Sequence, residues 1–114
     1  MICTPLRRLL LLLAIVSAGT PLATLASAMP ATPTVEITKF AFTPGEITIS
    51  PGTTIVWTNH DEVPHTVTST DKRLASKALD TDDRFEHTFA DAGDYTYFCA
   101  VHPFMTGVVH VRNP

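Results

Sequence analysis

Three side chains that can bind a soft metal ion lie close together near the C-terminus. Cys99, His102 and Met105 form a C-x2-H-x2-M pattern. Thiolate, neutral imidazole and thioether together favour copper, whereas Ca²⁺ and Mg²⁺ prefer clustered carboxylate oxygens. Zinc is the nearest competitor, but a structural zinc site uses four strong ligands, usually including several cysteines, and this segment has one. The pattern therefore predicts a site selective for copper.

A fourth ligand has to come from another part of the chain. His65 lies 34 residues before Cys99 and directly follows Pro64, whose ring restricts the approach of the backbone. Loops at one end of a β-sandwich are neighbours in space even when they are distant in sequence. We therefore expect His65 to be the fourth ligand.

Each of these residues also has an ordinary structural interpretation. A methionine before a strand is usually part of a core, an aromatic residue such as Phe104 usually packs, and an unpaired cysteine is often a buried, inert thiol. Their joint occurrence in one short loop, together with His65, favours a metal site over independent packing residues. A Cys–His hydrolase is disfavoured, because His102 on a turn three residues after Cys99 offers neither an oriented pair nor an oxyanion hole.

The N-terminal segment has the three parts of an export signal. A basic pair, Arg7–Arg8, precedes an apolar run over residues 9–18, and an A-x-A cleavage site follows at residues 26–28. The apolar run is about ten residues long, too short to span a bilayer, so an uncleaved anchor is the less favoured alternative. We expect residues 1–28 to be a signal peptide and residues 29–114 to form one domain, with general secretory or twin-arginine export left open.

Removing the predicted signal changes the charge and the cysteine count. Residues 29–114 keep six basic and eleven acidic side chains, a net charge of −5, which argues against nucleic acid or an anionic membrane as a partner. Cys3 is lost with the signal, so Cys99 has no internal disulfide partner. It must be a reactive thiol, an intermolecular cross-link or a metal ligand.

The elements that would position these ligands are predicted to be strands. Apolar residues alternate with polar ones in short segments separated by Pro, Gly and Asp turns, which predicts an all-β, antiparallel sandwich or barrel of about seven strands. One of these segments is residues 65–69, and Trp57 in another is expected in the core. Residues 71–83 break the pattern, and Leu74 and Leu79 have helical spacing. We expect a solvated loop there with one short helical turn.

Four short motifs lie around the predicted ligands: VWTN at residues 56–59, VPH at 63–65, GDYTYFC at 93–99 and HPFMTG at 102–107. Together they resemble the blue-copper proteins (cupredoxins), and within them the amicyanin and plastocyanin type. The short spacing between cysteine, histidine and methionine is the feature most similar to amicyanin. The resemblance extends from about Phe40 to Val111, and it implies a Greek-key β-sandwich of seven or eight strands.

The resemblance also implies a ligand set for one Cu(I)/Cu(II) ion. His65, Cys99 and His102 would form a trigonal plane, and Met105 would be a weak axial ligand. His65 would be buried, whereas His102 would reach the surface through an apolar patch containing Pro103 and Phe104. Asn59 matches a strand residue that helps to tie the loops of the site together.

Two positions depart from the family pattern. Thr66 follows the first histidine where asparagine is usual, which puts the bracing of the cysteine loop in doubt. Val101 replaces a common proline, so its N–H is available to donate to the Cys99 sulfur, which would favour Cu(I) and raise the reduction potential. The remaining histidines, which match no ligand position, are expected on the surface or on strands: His60, His87 and His110.

The function implied by the resemblance is that of an exported, mobile one-electron carrier in the periplasm. A dehydrogenase donor and a c-type cytochrome acceptor would dock near His102, Pro103 and Phe104, and a monomer is expected. The alternative is a periplasmic protein that binds and delivers copper with the same ligands. An enzyme is disfavoured, because multicopper oxidases and nitrite reductases need H-x-H pairs and no two histidines here are two residues apart.

Overall fold

The computed structural model describes residues 13–24 and 31–114. The predicted basic region and cleavage site lie outside these residues, as does Cys3. Residues 13–24 have no regular secondary structure and are exposed. Within the two described ranges, no helix is long and apolar enough to cross a membrane.

Seven short strands make up the secondary structure of residues 31–114. They are β1 (Thr34–Thr38), β2 (Ala41–Thr43), β3 (Glu46–Ile49), β4 (Thr53–Asn59), β5 (Arg84–Phe89), β6 (Gly93–Phe98) and β7 (Thr106–Val111). Burial alternates along most of them with the period of two that a half-buried strand requires, as in β4, where Ile55, Trp57 and Asn59 point inward. The prediction of an all-β chain is confirmed.

The strands form two sheets that pack as a sandwich. One sheet has the order β2-β1-β4-β5 and the other the order β3-β7-β6. The predicted antiparallel pairing holds for β1 with β2, β4 with β5, and β6 with β7. It is wrong for β1 with β4 and for β3 with β7, which are parallel. The reason is that β3 lies in the opposite sheet, so the chain crosses the sandwich between β2 and β4 before it pairs with β1.

The core lies between the two sheets and is strongly aromatic. Trp57 of β4 is fully buried, as predicted, and meets Tyr97 of β6 edge-to-face with ring centroids 5.6 Å apart. These two rings belong to different sheets, so their contact holds the sandwich together. Complete burial of a large apolar side chain typically contributes about 1.5–3 kcal/mol.

The segment between β4 and β5 differs from the prediction in two respects. Residues 65–69 form isolated bridges instead of a strand: His65 pairs with Leu79, and Thr68 pairs with both Ala75 and Phe98. The loop over residues 71–83 is confirmed, but it contains no helical turn. Leu74 and Leu79 are both buried, because each anchors a different part of the loop on the core.

The fold places two loops at one end of the sandwich. Cys99 directly follows β6, and residues 99–105 connect β6 to its antiparallel neighbour β7. The loop that carries His65 is attached to the end of β6 by two backbone hydrogen bonds between Thr68 and Phe98, of 3.0 and 2.8 Å. The sheet therefore determines the separation of the two loops.

Candidate metal centre

Three of the four predicted ligands meet in a small triangle of donor atoms. Cys99 Sγ lies 3.7 Å from His65 Nδ1 and 3.8 Å from His102 Nδ1, and the two nitrogens are 3.2 Å apart. The three residues form a cluster of side chains that could hold a metal ion. His65 is buried, as expected, as is Cys99, and His102 is partly exposed.

The triangle has the size that a bound transition metal requires. A point equidistant from the three atoms lies about 2.1 Å from each, close to the usual metal–nitrogen distance of about 2.0–2.1 Å and the metal–sulfur distance of about 2.3 Å. Two imidazole nitrogens and one thiolate sulfur are the donors that would hold the metal of a blue-copper site. The residues present therefore fit copper.

Met105 lies at the end of the ligand loop, which is closed by its own backbone. The Cys99 N–H donates to the Met105 carbonyl at 3.1 Å, and the Met105 N–H donates to the His102 carbonyl at 2.9 Å. The Met105 side chain is buried, with 2% exposed. These bonds hold residues 99–105 in one compact turn, so the Cys99 and His102 side chains have little freedom to separate.

Thr66 braces the cysteine loop in spite of being shorter than asparagine. Its N–H donates to Cys99 Sγ at 3.4 Å, and its hydroxyl oxygen accepts from the Ala100 N–H at 2.8 Å. The predicted hydrogen bond from Val101 to the sulfur does not form: within the described residues, Thr66 supplies the backbone N–H that reaches Sγ. The expectation of a potential raised by Val101 therefore has no hydrogen bond to support it.

Asn59 ties together the loops around His65, as the resemblance implies. Its side-chain amide donates to the carbonyls of Val63 and Leu79, at 2.9 and 2.8 Å, and its oxygen accepts from the Asp61 N–H at 2.9 Å. Because Asn59 is fully buried, these bonds replace the water that its amide would otherwise bind.

Two contributors to the site were missed in the sequence. Asp61 Oδ2 lies 2.8 Å from His65 Nε2, on the side of the ring away from Cys99. Phe40 presents its ring edge-to-face to His65 and His102, with centroids 5.4 and 5.1 Å apart. A metal-binding histidine usually donates its other N–H to a carboxylate or carbonyl, so an acid four residues before His65 was a usable signal. Phe40 had no local signal.

An apolar surface surrounds the exposed edge of His102. Within residues 31–114, the large hydrophobic side chains that are exposed are Phe40, Val101 and Phe104, at 44%, 53% and 72%. Phe104 lies 6.1 Å from the His102 ring, and Pro103 between them is also exposed. We call these residues, Phe40, Val101, Pro103 and Phe104, the apolar patch.

The other histidines lie elsewhere. His60 pairs with Glu36 on the surface, and His110 Nδ1 lies 2.8 Å from Asp94. His87 lies on β5 between Phe85 and Phe89, as predicted, and its burial lowers its pKa. In the part of the chain that the structure describes, none of them belongs to the ligand cluster.

The comparisons with known proteins agree with the geometry. Residues 30–112 match the family described as copper binding proteins of the plastocyanin/azurin type. Amicyanin from Paracoccus versutus is 35% identical over 83 residues, which cover 68% of this chain and 63% of that protein. Its crystal structure superimposes with a TM-score of 0.69 at 32% identity, covering 75% of this chain and 86% of the other.

This chain is a blue-copper protein. It belongs to the plastocyanin/azurin family of copper-binding proteins, is similar to the amicyanins within it, and its cofactor is copper. A copper-containing nitrite reductase from Thermus scotoductus also superimposes, with a TM-score of 0.70 at 28% identity. The match covers 83% of this chain but only 26% of the reductase. The sequence match spans 63% of the length of the Paracoccus versutus amicyanin.

Proposed function

We propose that the protein is a mobile one-electron carrier whose copper ligands are His65, Cys99, His102 and, more weakly, Met105. The observation that carries the proposal is the triangle of donor atoms, held at the end of a rigid sandwich with two of its three residues buried. When bound, copper supplies the Cu(I)/Cu(II) couple. The chain keeps the ligands in one arrangement for both states, because the turn, Thr66 and Asn59 restrict their movement.

The burial of the ligands favours electron transfer over copper delivery. His65 and Cys99 are inaccessible and Met105 nearly so, which leaves His102 as the ligand that reaches the surface. An electron can pass through the His102 ring without opening the site, whereas release of the ion would require the turn to unfold. A carrier should keep its copper through repeated oxidation and reduction. Rapid loss of Cu(I) to a competing chelator would favour the delivery function.

The visible spectrum after addition of Cu(II) tests the ligand set. We expect an intense blue thiolate-to-copper band that Cys99→Ser abolishes. His110→Asn is the matched control, since His110 lies outside the cluster and should leave the band unchanged. A colourless protein that binds zinc in preference to copper would contradict the proposal.

The apolar patch supports a docking role for the surface around His102. We propose that a dehydrogenase donor and a c-type cytochrome acceptor bind there in turn, and that the protein acts as a monomer without enzymatic activity. Phe104→Ala should slow reduction of a c-type cytochrome at least tenfold without changing the blue band. Thr96→Ala, on an exposed position of β6, should change neither. Equal rates for both variants would rule out docking at the patch.

We also propose that the protein is exported to the periplasm after removal of residues 1–28. The supporting features are the tripartite N-terminal pattern and the similarity of residues 30–112 to a copper-binding family. N-terminal sequencing of the protein recovered from a periplasmic extract should give Met29 as the first residue. Recovery of the intact chain in the cytoplasm would contradict this prediction.

A further inference from the structure

The carboxylate of Asp61 joins two parts of the site that the ligand pattern leaves separate. It accepts hydrogen bonds from His65 Nε2 at 2.8 Å, from the Lys39 N–H at 2.7 Å and from the Phe40 N–H at 3.0 Å. Its side chain is 14% exposed, and that of His65 is fully buried. Because this mostly buried carboxylate accepts three hydrogen bonds, it is a fixed part of the site.

The contact with His65 decides which ring nitrogen is free to bind a metal. Because Nε2 donates its hydrogen to Asp61, Nδ1 keeps a lone pair, and Nδ1 is the atom that faces Cys99 and His102. Three N–H groups converge on the Asp61 carboxylate, an arrangement that favours its ionised form over the neutral acid. The group is therefore a charged acceptor.

The same carboxylate holds the turn that covers the site. Lys39 and Phe40 both have positive φ angles, 52° and 56°, in a region of backbone conformation that residues other than glycine rarely adopt. Their two amide groups converge on Asp61, and this places the Phe40 ring edge-on to both histidines. One side chain thus orients a ligand and the aromatic ring above it.

We propose that Asp61 is a positioning residue that fixes the tautomer of His65 and, through its negative charge beside that ring, lowers the reduction potential of the copper site. A negative charge favours Cu(II) over Cu(I), and it acts strongly at a partly buried position where water screens it little. The effect on the reduction potential rests on the proposed function, whereas the effect on the His65 tautomer does not.

The potential is tested with Asp61→Asn in the exported, copper-loaded protein. This variant removes the charge and keeps one acceptor oxygen. We expect the equilibrium to shift at least tenfold toward Cu(I), which is 59 mV for a one-electron couple. Glu62→Gln is the matched control, because it removes the same charge from the adjacent, exposed residue. Equal shifts in the two variants would overturn the role of direct contact.

The tautomer is tested without copper, by NMR of the metal-free protein. We expect the His65 Nε2–H proton to exchange slowly with water in the wild type, to remain detectable in Asp61→Asn, and to be lost in Asp61→Ala while Glu62→Ala keeps it. Equally fast exchange in the wild type and Asp61→Ala would overturn the positioning role. Failure of the proposed function would be seen separately, as the absence of a blue band in the wild-type protein. That result would overturn the proposed effect on the reduction potential but not the role of Asp61 in fixing the His65 tautomer.

Discussion

At the scale of single residues, Thr66 contributes to the site through its backbone and its side chain. Its N–H reaches the Cys99 sulfur and its hydroxyl accepts from Ala100, so the two loops are joined on both sides of the thiol. The hydroxyl can replace a longer side chain because the Thr68–Phe98 bridge already brings the loops together.

Thr66→Val should destabilise this junction. The variant keeps the N–H that reaches sulfur but removes the acceptor of the Ala100 N–H, and loss of such a part-buried hydrogen bond costs about 0.5–1.5 kcal/mol. We expect the free energy of unfolding of the metal-free protein, measured by urea titration, to fall by that amount. Copper should also dissociate faster from the variant.

Thr96→Val makes the same chemical change on an exposed position of β6. Its effect on the free energy of unfolding should be within about 0.5 kcal/mol, as for most surface substitutions. If the two variants unfold at the same urea concentration, the hydroxyl of Thr66 does not brace the loop.

At the scale of elements, the β6–β7 pair supports the ligand loop that connects the two strands. Tyr97 of β6 lies opposite Gly107 of β7, and its ring lies directly over the glycine. A Cβ atom at position 107 would overlap the Tyr97 ring, so this position accepts glycine for lack of space. The ring in turn packs on Trp57 and Phe42, which leaves it little room to move.

Gly107→Ala should therefore destabilise the fold next to the site. Overpacking of this kind typically costs about 1–3 kcal/mol, and we expect a matching decrease in the free energy of unfolding. Gly45→Ala is the control, because a Cβ at position 45 would meet its nearest neighbour, the Phe42 carbonyl oxygen, at an ordinary 3.7 Å. Equal stability of the two variants would contradict the steric explanation.

At the scale of the whole molecule, surface carboxylates make stability depend on acid pH. Hydrogen bonds from Ser69 and Arg73 lower the pKa of Asp71 to about 2. Hydrogen bonds from His110 and Arg112 likewise lower the pKa of Asp94. A carboxyl group whose pKa is lower in the folded state stabilises that state at pH values above its unfolded pKa, about 3.9, and this contribution is lost as the pH falls through the folded pKa.

The melting temperature of the metal-free protein should accordingly decrease between about pH 4 and pH 2. Asp71→Asn should reduce the slope of this decrease, because the variant has no carboxyl group to protonate at that position. Asp91→Asn is the control, since the Asp91 carboxylate takes part in none of the described hydrogen bonds. If the slope were unchanged by Asp71→Asn but reduced by Asp91→Asn, protonation of Asp71 would not be a cause of the decrease in melting temperature.

Much of the fold could be predicted from local patterns. The alternation of apolar and polar residues indicates most strands of the sandwich, and the buried Trp57 follows from it. The strand predicted at residues 65–69 is wrong, because this segment makes only isolated bridges, to Leu79, Ala75 and the end of β6 at Phe98. The helical spacing of Leu74 and Leu79 was misleading, because the Leu74 backbone bonds to Ser69 and the Leu79 backbone to His65, and the segment between them is not helical.

By itself, the sequence determined the donor types, their spacing in the ligand loop and the class of metal they suit, because these depend on residue chemistry within a few positions of Cys99. Only the tertiary structure decided the parallel pairing of β1 with β4 and the placement of Phe40 beside the two histidines. These features depend on where the chain crosses between sheets and on which loops then meet at one end of the sandwich. Contacts over such sequence distances arise from packing of the whole domain, and no local pattern encodes them.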